Sequence, residues 1–325
     1  MNFESFKIAI IIPAYKVERT IESVIAGLPT YIKHIIVVDD ASPDSTFNLI
    51  TALSKNDIRL TLIRHSQNQG VGGTMISGFK KALELGAQIV VKIDGDDQMD
   101  ASQIPALITP LIQGKADYTK GNRFRDFASL QKMPFIRRIG NLGLSFLTKA
   151  ATGYWNIFDP TNGFFAIRAE VLQQLPLEKI DKRYFFETSM LANLYLLNAY
   201  VLDVSIPARY GNEKSHLSIR RTLFEFPYKL LITFLRRVLL KYYIYDFSIL
   251  SLYLITAFPL LVFGLTFGSI KWIQYAQIGV PAPTGTVMLP TLCVILGIQI
   301  MLSAIEIDMK ATPKQPLCNL LNSIN

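Results

Sequence analysis

Two long stretches towards the end of the chain contain no charged residue. The first lies between Asp246 and Lys271, and the second lies between Lys271 and Glu306. Their apolar cores, residues 248–268 and 287–305, are each long enough to cross a hydrocarbon layer of roughly 30 Å as a helix. A buried helix of a water-soluble protein seldom runs this far without a charge. The sequence therefore predicts two transmembrane helices.

Basic residues flank these stretches, and the chain has a formal net charge of +8. Those that precede the first stretch or follow the second are Arg209, Lys214, Arg220, Arg221, Lys229, Arg236, Arg237, Lys241, Lys310 and Lys314. The intervening loop has only Lys271, at its edge, so the positive-inside rule predicts a hairpin with both termini in the cytoplasm. A basic balance also fits nucleic acid. Because the charge lies beside a membrane segment, we expect a membrane and no nucleic-acid partner.

The N-terminal apolar run, residues 8–12, does not resemble a signal peptide. It is too short for the hydrophobic region of such a peptide, and it ends at Pro13. The part of the chain ahead of the predicted spans is therefore expected to stay in the cytoplasm. The two cysteines, Cys293 and Cys318, form neither a disulfide framework nor a metal-binding motif.

Ahead of the uncharged stretches, short apolar runs alternate with helical patterns. Strands are predicted at residues 7–12, 34–38, 60–63 and 88–93, and helices at residues 18–28, 45–54 and 70–85. This order predicts an α/β domain with a mostly parallel sheet that carries helices on both faces. In such sheets ligands bind at the carboxyl ends of the strands.

Carboxylates follow the fourth predicted strand. Asp94 and Asp96 stand two positions apart, so in an extended segment they face the same side, and Gly95 relaxes the backbone between them. Oxygen ligands of this kind suit Mg²⁺ or Mn²⁺. A solvated turn is the simpler explanation of an isolated pair. Here, however, Asp39 and Asp40 follow the second strand, so that carboxylates meet at one edge of the predicted sheet and favour a metal site.

Several short segments occur in a characteristic order along the chain. In the first half they are Ile12-Pro13-Ala14-Tyr15 with Glu18, Val37-Val38-Asp39-Asp40-Ala41-Ser42, Asn68-x-Gly70-x-Gly72, Asp94-Gly95-Asp96 with Gln98, and Gly121-Asn122-Arg123. Together they resemble family 2 glycosyltransferases, which have the GT-A fold. The later segments are 159–165, Phe185-Phe186-Glu187 and 206–215. They resemble the branch of that family that contains dolichyl-phosphate mannose synthases and bacterial polyprenyl-phosphate glucosyltransferases.

The resemblance implies a role for each matching residue. Pro13, Ala14, Tyr15, Glu18 and Asp40 match positions that hold the nucleotide base and ribose. Asp94, Asp96 and Gln98 match the metal and diphosphate positions, and Arg209 and Lys214 match a loop that clamps the donor diphosphate. Arg123, Arg137 and Asn141 match positions near the acceptor phosphate, although some relatives have a serine in place of Asn141. Arginine suits this task because its guanidinium group binds phosphate in a bidentate way.

The resemblance also implies a reaction. It is inverting transfer of one sugar, with glucose from UDP-glucose favoured, to a polyprenyl phosphate at the cytoplasmic membrane face. GDP-mannose or UDP-N-acetylglucosamine as donor, or a non-catalytic nucleotide-binding membrane protein, are the alternatives. A phosphate monoester is mostly a dianion near pH 7, so no protein base is expected, and Asp97, Asp159 and Glu187 are assigned structural roles. The oligomeric state is left open, a homo-oligomer included.

The same patterns predict four regions. Residues 1–215 form the catalytic domain. Residues 216–246 form amphipathic juxtamembrane helices, because aromatic and aliphatic residues alternate there with basic ones, as in helices that lie in the headgroup layer. Residues 247–305 hold the two transmembrane helices, and residues 306–325 form a cytoplasmic tail.

Overall fold

The computed structural model describes residues 3–122, 135–160, 162–207 and 219–317, and for residues 135–142 and 219–224 it describes the backbone only. The chain forms two compact units. The first contains the residues up to Phe234 together with a segment that begins at Pro313. The second runs from Leu235 to Thr312. The units divide at positions other than the predicted region boundaries at residues 215, 246 and 305. Those boundaries separate regions of different predicted function, and they stay predictions.

A seven-stranded sheet organises the first unit. Its strands are β1 (Ile8–Ala14), β2 (His34–Asp39), β3 (Leu60–Arg64), β4 (Ile89–Lys92), β5 (Tyr118–Asn122), β6 (Phe165–Arg168) and β7 (Val201–Ser205). Their order in space is β3-β2-β1-β4-β6-β5-β7. Neighbours are parallel except at β6, which is antiparallel to β4 and β5. The mostly parallel sheet predicted from the sequence is confirmed.

Helices cover both faces of this sheet. Those whose apolar residues join the cluster on one face are α1 (Ile21–Ala26), α2 (Thr46–Ser54) and α4 (Ile104–Ile112). Those on the other face are α3 (Val71–Glu84), α6 (Ala169–Gln174) and α7 (Phe186–Leu196), while α5 (Phe135–Thr152) packs against α7. Within β1, Ile10 and Ile12 face the first cluster and Ile11 faces the second. This alternation is what a strand buried on both sides requires.

The first strand is longer than predicted. It continues through Pro13 and Ala14, where it pairs with Val38 and Asp39 of β2. Pairing of β1 with β4 has already ended at Ile11. Because no partner strand faces the nitrogen of Pro13, the missing N–H removes no bond from the ladder. The first helix is correspondingly shorter than the predicted span.

The second unit is built on two long helices, α9 (Ile249–Ile278) and α10 (Thr284–Lys310). Both are long and apolar enough to cross a membrane, by length and composition. They pack closely because glycines lie at the contact. A Cβ atom on Gly264 would lie 2.8 Å from the side chain of Val294, and one on Gly297 would lie 2.7 Å from that of Leu261. Both helices extend beyond the apolar cores predicted from the sequence.

Helix α8 (Ile219–Leu239) precedes this pair and continues into one π-helical segment, Leu240–Tyr245. Among its described side chains, five large apolar ones are exposed: Tyr228, Leu231, Ile232, Leu235 and Leu239. In the second unit, the buried guanidinium of Arg237 donates to both carboxylate oxygens of Asp308, at 2.6 and 3.0 Å. The hydroxyl of Tyr242 donates to the same carboxylate. The end of α8 and the end of α10 are thereby joined within that unit.

Candidate active site

The loops that follow β1, β2 and β4 are fastened to one another. After β1, the N–H groups of Lys16 and Val17 donate to Ser42 Oγ and Thr46 Oγ1, which follow β2. Thr20 Oγ1 donates to the carbonyl of Gly95, after β4, at 2.6 Å. The sheet order reverses between β1 and β4, and this is where ligands bind in open α/β sheets. The three loops therefore form one edge, as predicted.

Backbone strain is concentrated at the same edge. Among the described residues, the non-glycine residues with positive φ are Lys16, Ala41, Asp97 and Asn198. The first three lie in the loops after β1, β2 and β4, with φ of 58°, 56° and 60°. Such a conformation costs free energy for a residue with a Cβ atom and is often retained at functional sites.

A cavity of about 200 Å³ opens beside the end of β4. Its lining includes Asp94, Asp96, Gln98, Asn162, Gly163 and Glu187. The Asp94 side chain is 31% exposed and the Glu187 side chain 14% exposed. A Cβ atom on Gly163 would lie 3.1 Å from Asp94 Oδ2, so glycine at this position leaves the space beside this carboxylate oxygen open.

The donor set of this cavity fits a hard divalent cation. Asp94 and Asp96 contribute carboxylates, and Gln98 contributes an amide. No group of three or more His, Cys, Asp or Glu side chains that could hold a metal occurs in the part of the chain that the structure describes. A cation held by two carboxylates keeps coordination positions for substrate oxygens, as Mg²⁺ commonly does.

A buried lysine lies directly beneath this pair. Lys92, the last residue of β4, has a side chain that is only 1% exposed. Its Nζ donates to Asp94 Oδ1 at 2.6 Å and lies 3.8 Å from Glu187 Oε1. Burial lowers the pKa of Lys92, but Asp94 and Glu187 outweigh it, and the pKa is raised above the usual value for lysine. Lys92 was not among the predicted site residues, although a lysine inside an apolar strand was a visible signal.

A second buried lysine supports the wall of the cavity. Lys120 of β5 stands in the same row of the sheet as Lys92, with Phe165 of β6 between them. Its Nζ donates to the carbonyl of Asn162, whose amide group donates to the Gly121 carbonyl at 2.7 Å. Burial lowers the pKa of Lys120 to about 8. These contacts fasten the loop that contains Asn162 and Gly163.

Asp40, predicted to contact the nucleotide, is turned inwards. It is 2% exposed. Its Oδ1 accepts the N–H of Gln69 and lies 2.7 Å from His65 Nδ1, and its Oδ2 accepts the N–H of Gly70. Gly70 has φ +85° and precedes α3. In this structure Asp40 therefore holds the turn before α3.

The other predicted nucleotide residues lie on the loop side of the same edge. Pro13 and Ala14 end β1, and Tyr15 beyond them is 45% exposed. Glu18 Oε2 accepts the N–H of Ser45 at 3.0 Å, which binds the first loop to the second. An exposed aromatic ring beside a carboxylate edge is suited to a nucleotide base.

The predicted contacts to the acceptor phosphate and the donor clamp fall on residues whose side chains the structure does not describe. Arg123, Arg209 and Lys214 fall outside the described residues. Arg137 and Asn141 lie in the first half of α5, where only the backbone is described. The roles of these residues stay predictions.

The model for "Glycosyl transferase family 2" matches residues 9–175. A relative named UDP-N-acetylglucosamine–dolichyl-phosphate N-acetylglucosaminyltransferase, from Methanococcus voltae, is 36% identical over 190 residues, which cover 54% of this chain and 75% of that protein. An undecaprenyl-phosphate mannosyltransferase from Micrococcus luteus is 27% identical over 203 residues, covering 62% and 82%.

A solved structure has a similar fold. It is glucosyl-3-phosphoglycerate synthase from Mycobacterium tuberculosis, in complex with Mn²⁺, UDP-glucose and phosphoglyceric acid. The two structures superpose with a TM-score of 0.52 at 22% identity, covering 72% of this chain and 82% of the other. At this identity the likeness concerns the fold.

Proposed function

Because this chain belongs to glycosyl transferase family 2 and has the GT-A fold, we propose that it transfers one sugar from a nucleotide sugar to a polyprenyl phosphate. The observation that carries the proposal is the pair Asp94 and Asp96 at the end of β4. Both line a cavity, and Gly163 in the wall of this cavity leaves space beside Asp94. Two relatives named for transfer to dolichyl phosphate and undecaprenyl phosphate support the acceptor class. The two apolar helices would hold the enzyme where such lipids are found.

The reaction needs charge stabilisation at the leaving group. Asp94, Asp96 and Gln98 would hold Mg²⁺ or Mn²⁺, which supplies positive charge to the departing diphosphate. Tyr15 and the loops around it would bind the nucleotide, and the Asn162–Gly163 wall would exclude water from the sugar. We retain Arg123, Arg137 and Asn141 as the proposed acceptor-phosphate contacts, and Arg209 and Lys214 as the proposed donor clamp.

The acceptor can act as the nucleophile without a protein base. The second pKa of a phosphate monoester is about 6, so its oxygen is already ionised near pH 7. The protein then has to align that oxygen with the anomeric carbon and stabilise the leaving diphosphate. The free polyprenol, whose hydroxyl is protonated at this pH, should accordingly be no substrate.

The donor sugar is the finer part of the proposal. The relatives reported above are named for N-acetylglucosamine and mannose transfer. Neither name supports glucose, and UDP-glucose stays a prediction from the sequence. We propose UDP-N-acetylglucosamine first, because the relative named for it shares 36% identity.

The test is a donor panel with the purified full-length protein and a polyprenyl phosphate. UDP-N-acetylglucosamine, UDP-glucose and GDP-mannose are compared by release of free nucleotide and by formation of the lipid-linked sugar. Asp94→Asn and Asp96→Asn should each lower turnover roughly a hundredfold or more, as does loss of one electrostatic stabiliser elsewhere. Nucleotide binding without transfer from any donor would contradict the proposal and identify a binding protein. Full turnover in excess chelator would contradict the proposed role of a divalent metal.

A further inference from the structure

The ammonium group of Lys92 lies where it would affect a bound metal cation. It donates to one of the two carboxylates that would hold a divalent cation, and the contact is 2.6 Å long. A cation bound to Asp94 would therefore stand within a few ångströms of a fixed positive charge. Like charges at such distances repel strongly where water is excluded.

Lys92 cannot withdraw from this position. Its side chain is 1% exposed and lies at the end of a central strand. The loop above closes the space, since a Cβ atom on Gly163 would lie 2.4 Å from Lys92 Nζ. Glu187 Oε1, 3.8 Å away, offers a second anionic partner when Asp94 turns towards another ligand.

The local charges suggest what could offset the repulsion between Lys92 and a bound divalent cation. The Lys92 ammonium group lies 2.6 Å from Asp94 Oδ1 and 3.8 Å from Glu187 Oε1, so it already neutralises part of the negative charge that a metal would use. A nucleoside diphosphate brings further negative charge and oxygen ligands into the cavity. The cation then gains ligands that the protein's two carboxylates do not provide, and the repulsion by Lys92 is offset.

We propose that Lys92 is a positioning residue that makes the divalent cation and the donor diphosphate bind together, by keeping the metal site weak until the diphosphate arrives. The inference rests on the proposed function, in which Asp94 and Asp96 are metal ligands. Coupling of this kind is reciprocal, so the cation should strengthen nucleotide binding by the same factor as the nucleotide strengthens cation binding.

The test measures Mn²⁺ binding to the metal-free full-length protein by calorimetry or electron paramagnetic resonance, with and without saturating UDP. In the wild type, UDP should tighten Mn²⁺ binding by about tenfold or more, within the usual range of coupling factors. Lys92→Met keeps most of the side-chain volume and removes the charge. It should bind Mn²⁺ alone about tenfold more tightly than the wild type, while the coupling factor falls.

The sign of this change separates two roles for Lys92. If the lysine only orients Asp94, Lys92→Met should bind Mn²⁺ more weakly or equally well, and either result would overturn the proposal. Lys92→Arg keeps the charge and should retain weak binding, and Lys115→Gln, at an exposed lysine, is the matched control.

If Lys92→Met does not fold, Mn²⁺ binding to the wild type still tests the proposal. Equal Mn²⁺ affinity with and without UDP would overturn the proposal. Failure of the proposed function looks different, because the donor panel would then show no sugar transfer whatever the Mn²⁺ affinity.

Discussion

At the scale of single residues, Asp40 supports the site through a turn. Its carboxylate accepts two backbone N–H groups and contacts His65 while it is nearly inaccessible. Asp40→Ala leaves these donors without their acceptor. The free energy of unfolding should fall by about 3 kcal/mol, since hydrogen bonds to charged groups contribute about 1.5–3 kcal/mol each.

This expectation is checked by thermal or denaturant unfolding. Asp44→Ala is the control, because that carboxylate accepts one peptide N–H at 3.3 Å and is less buried. If Asp40→Ala is as stable as the wild type and has a much higher KM for the donor, the result would instead support the predicted contact of Asp40 with the nucleotide.

Lys120 should make stability depend on pH. Its pKa is lowered to about 8 in the fold, whereas an unfolded lysine titrates near 10.4. Between these values the unfolded chain binds a proton that the folded chain has released, so the free energy of unfolding rises with pH. Below about pH 8 the penalty for the buried charge is fully present.

Unfolding of the wild type and of Lys120→Met is compared between pH 7.5 and 10. The wild type should gain stability relative to the variant by at most about 3 kcal/mol across this window. Groups common to both proteins cancel in the difference, and Lys115→Gln controls for loss of a lysine charge at the surface. A difference that does not change with pH would place the pKa of Lys120 at its ordinary value.

Substitution of Glu187 is the strictest test of the prediction that sugar transfer needs no protein base. Of the three carboxylates given structural roles, Asp159 is fully buried and Asp97 accepts from Ser23 Oγ, whereas Glu187 lines the cavity. Glu187→Gln should retain more than a thousandth of wild-type turnover at saturating donor and metal, because general-base catalysis typically contributes 10²–10⁴-fold. Asp97→Asn and Asp159→Asn are compared with it. A larger loss of turnover with intact metal binding would indicate that Glu187 acts as a general base.

At the scale of elements, the first four strands were predictable because their β-branched, apolar runs are what a strand buried on both faces requires. The strands added on the far side of β4 were not. β5 reads Tyr-Thr-Lys-Gly-Asn, of which the last three are uncommon in strands, yet all five are buried. Lys120 can lie there only because Asn162 and nearby carboxylates compensate its charge. Such long-range partners cannot be read from local spacing. Lys92 differs, because its partner Asp94 stands only two positions away and the lysine could have been singled out from the sequence.

The predicted contact with the headgroup layer concerns helix α8. Leu231 and Ile232 are 56% and 45% exposed, which is costly in water and favourable at a lipid surface. The double substitution Leu231→Ser, Ile232→Ser should lower kcat/KM for a long-chain acceptor in vesicles roughly tenfold, equivalent to about 1.4 kcal/mol. Activity with a short, water-soluble acceptor should not change. Glu225→Gln on the same helix is the control, and equal losses with both acceptors would indicate a packing defect.

At the scale of the whole molecule, the positive-inside prediction stays to be tested. If α9 and α10 form a transmembrane hairpin, the loop between Ile278 and Thr284 lies on the far side of the membrane. An epitope inserted after Ala282 should react with an impermeant reagent only from that side. A tag at the N-terminus should react only from the cytoplasm. Cytoplasmic access to both tags would contradict the hairpin.

The chain also returns to the first unit after α10. The N–H of Leu317 donates to Asp117 Oδ2 at 2.6 Å, and Tyr200 N–H donates to the same oxygen. The apolar hairpin is thus an insertion within the catalytic unit, in the manner of a domain inserted into a host. A stop codon after Phe234 would remove a segment that the host sheet uses. Splicing Phe234 to Pro313 through a flexible linker would remove both apolar helices and keep that segment, while the exposed apolar residues of α8 would remain.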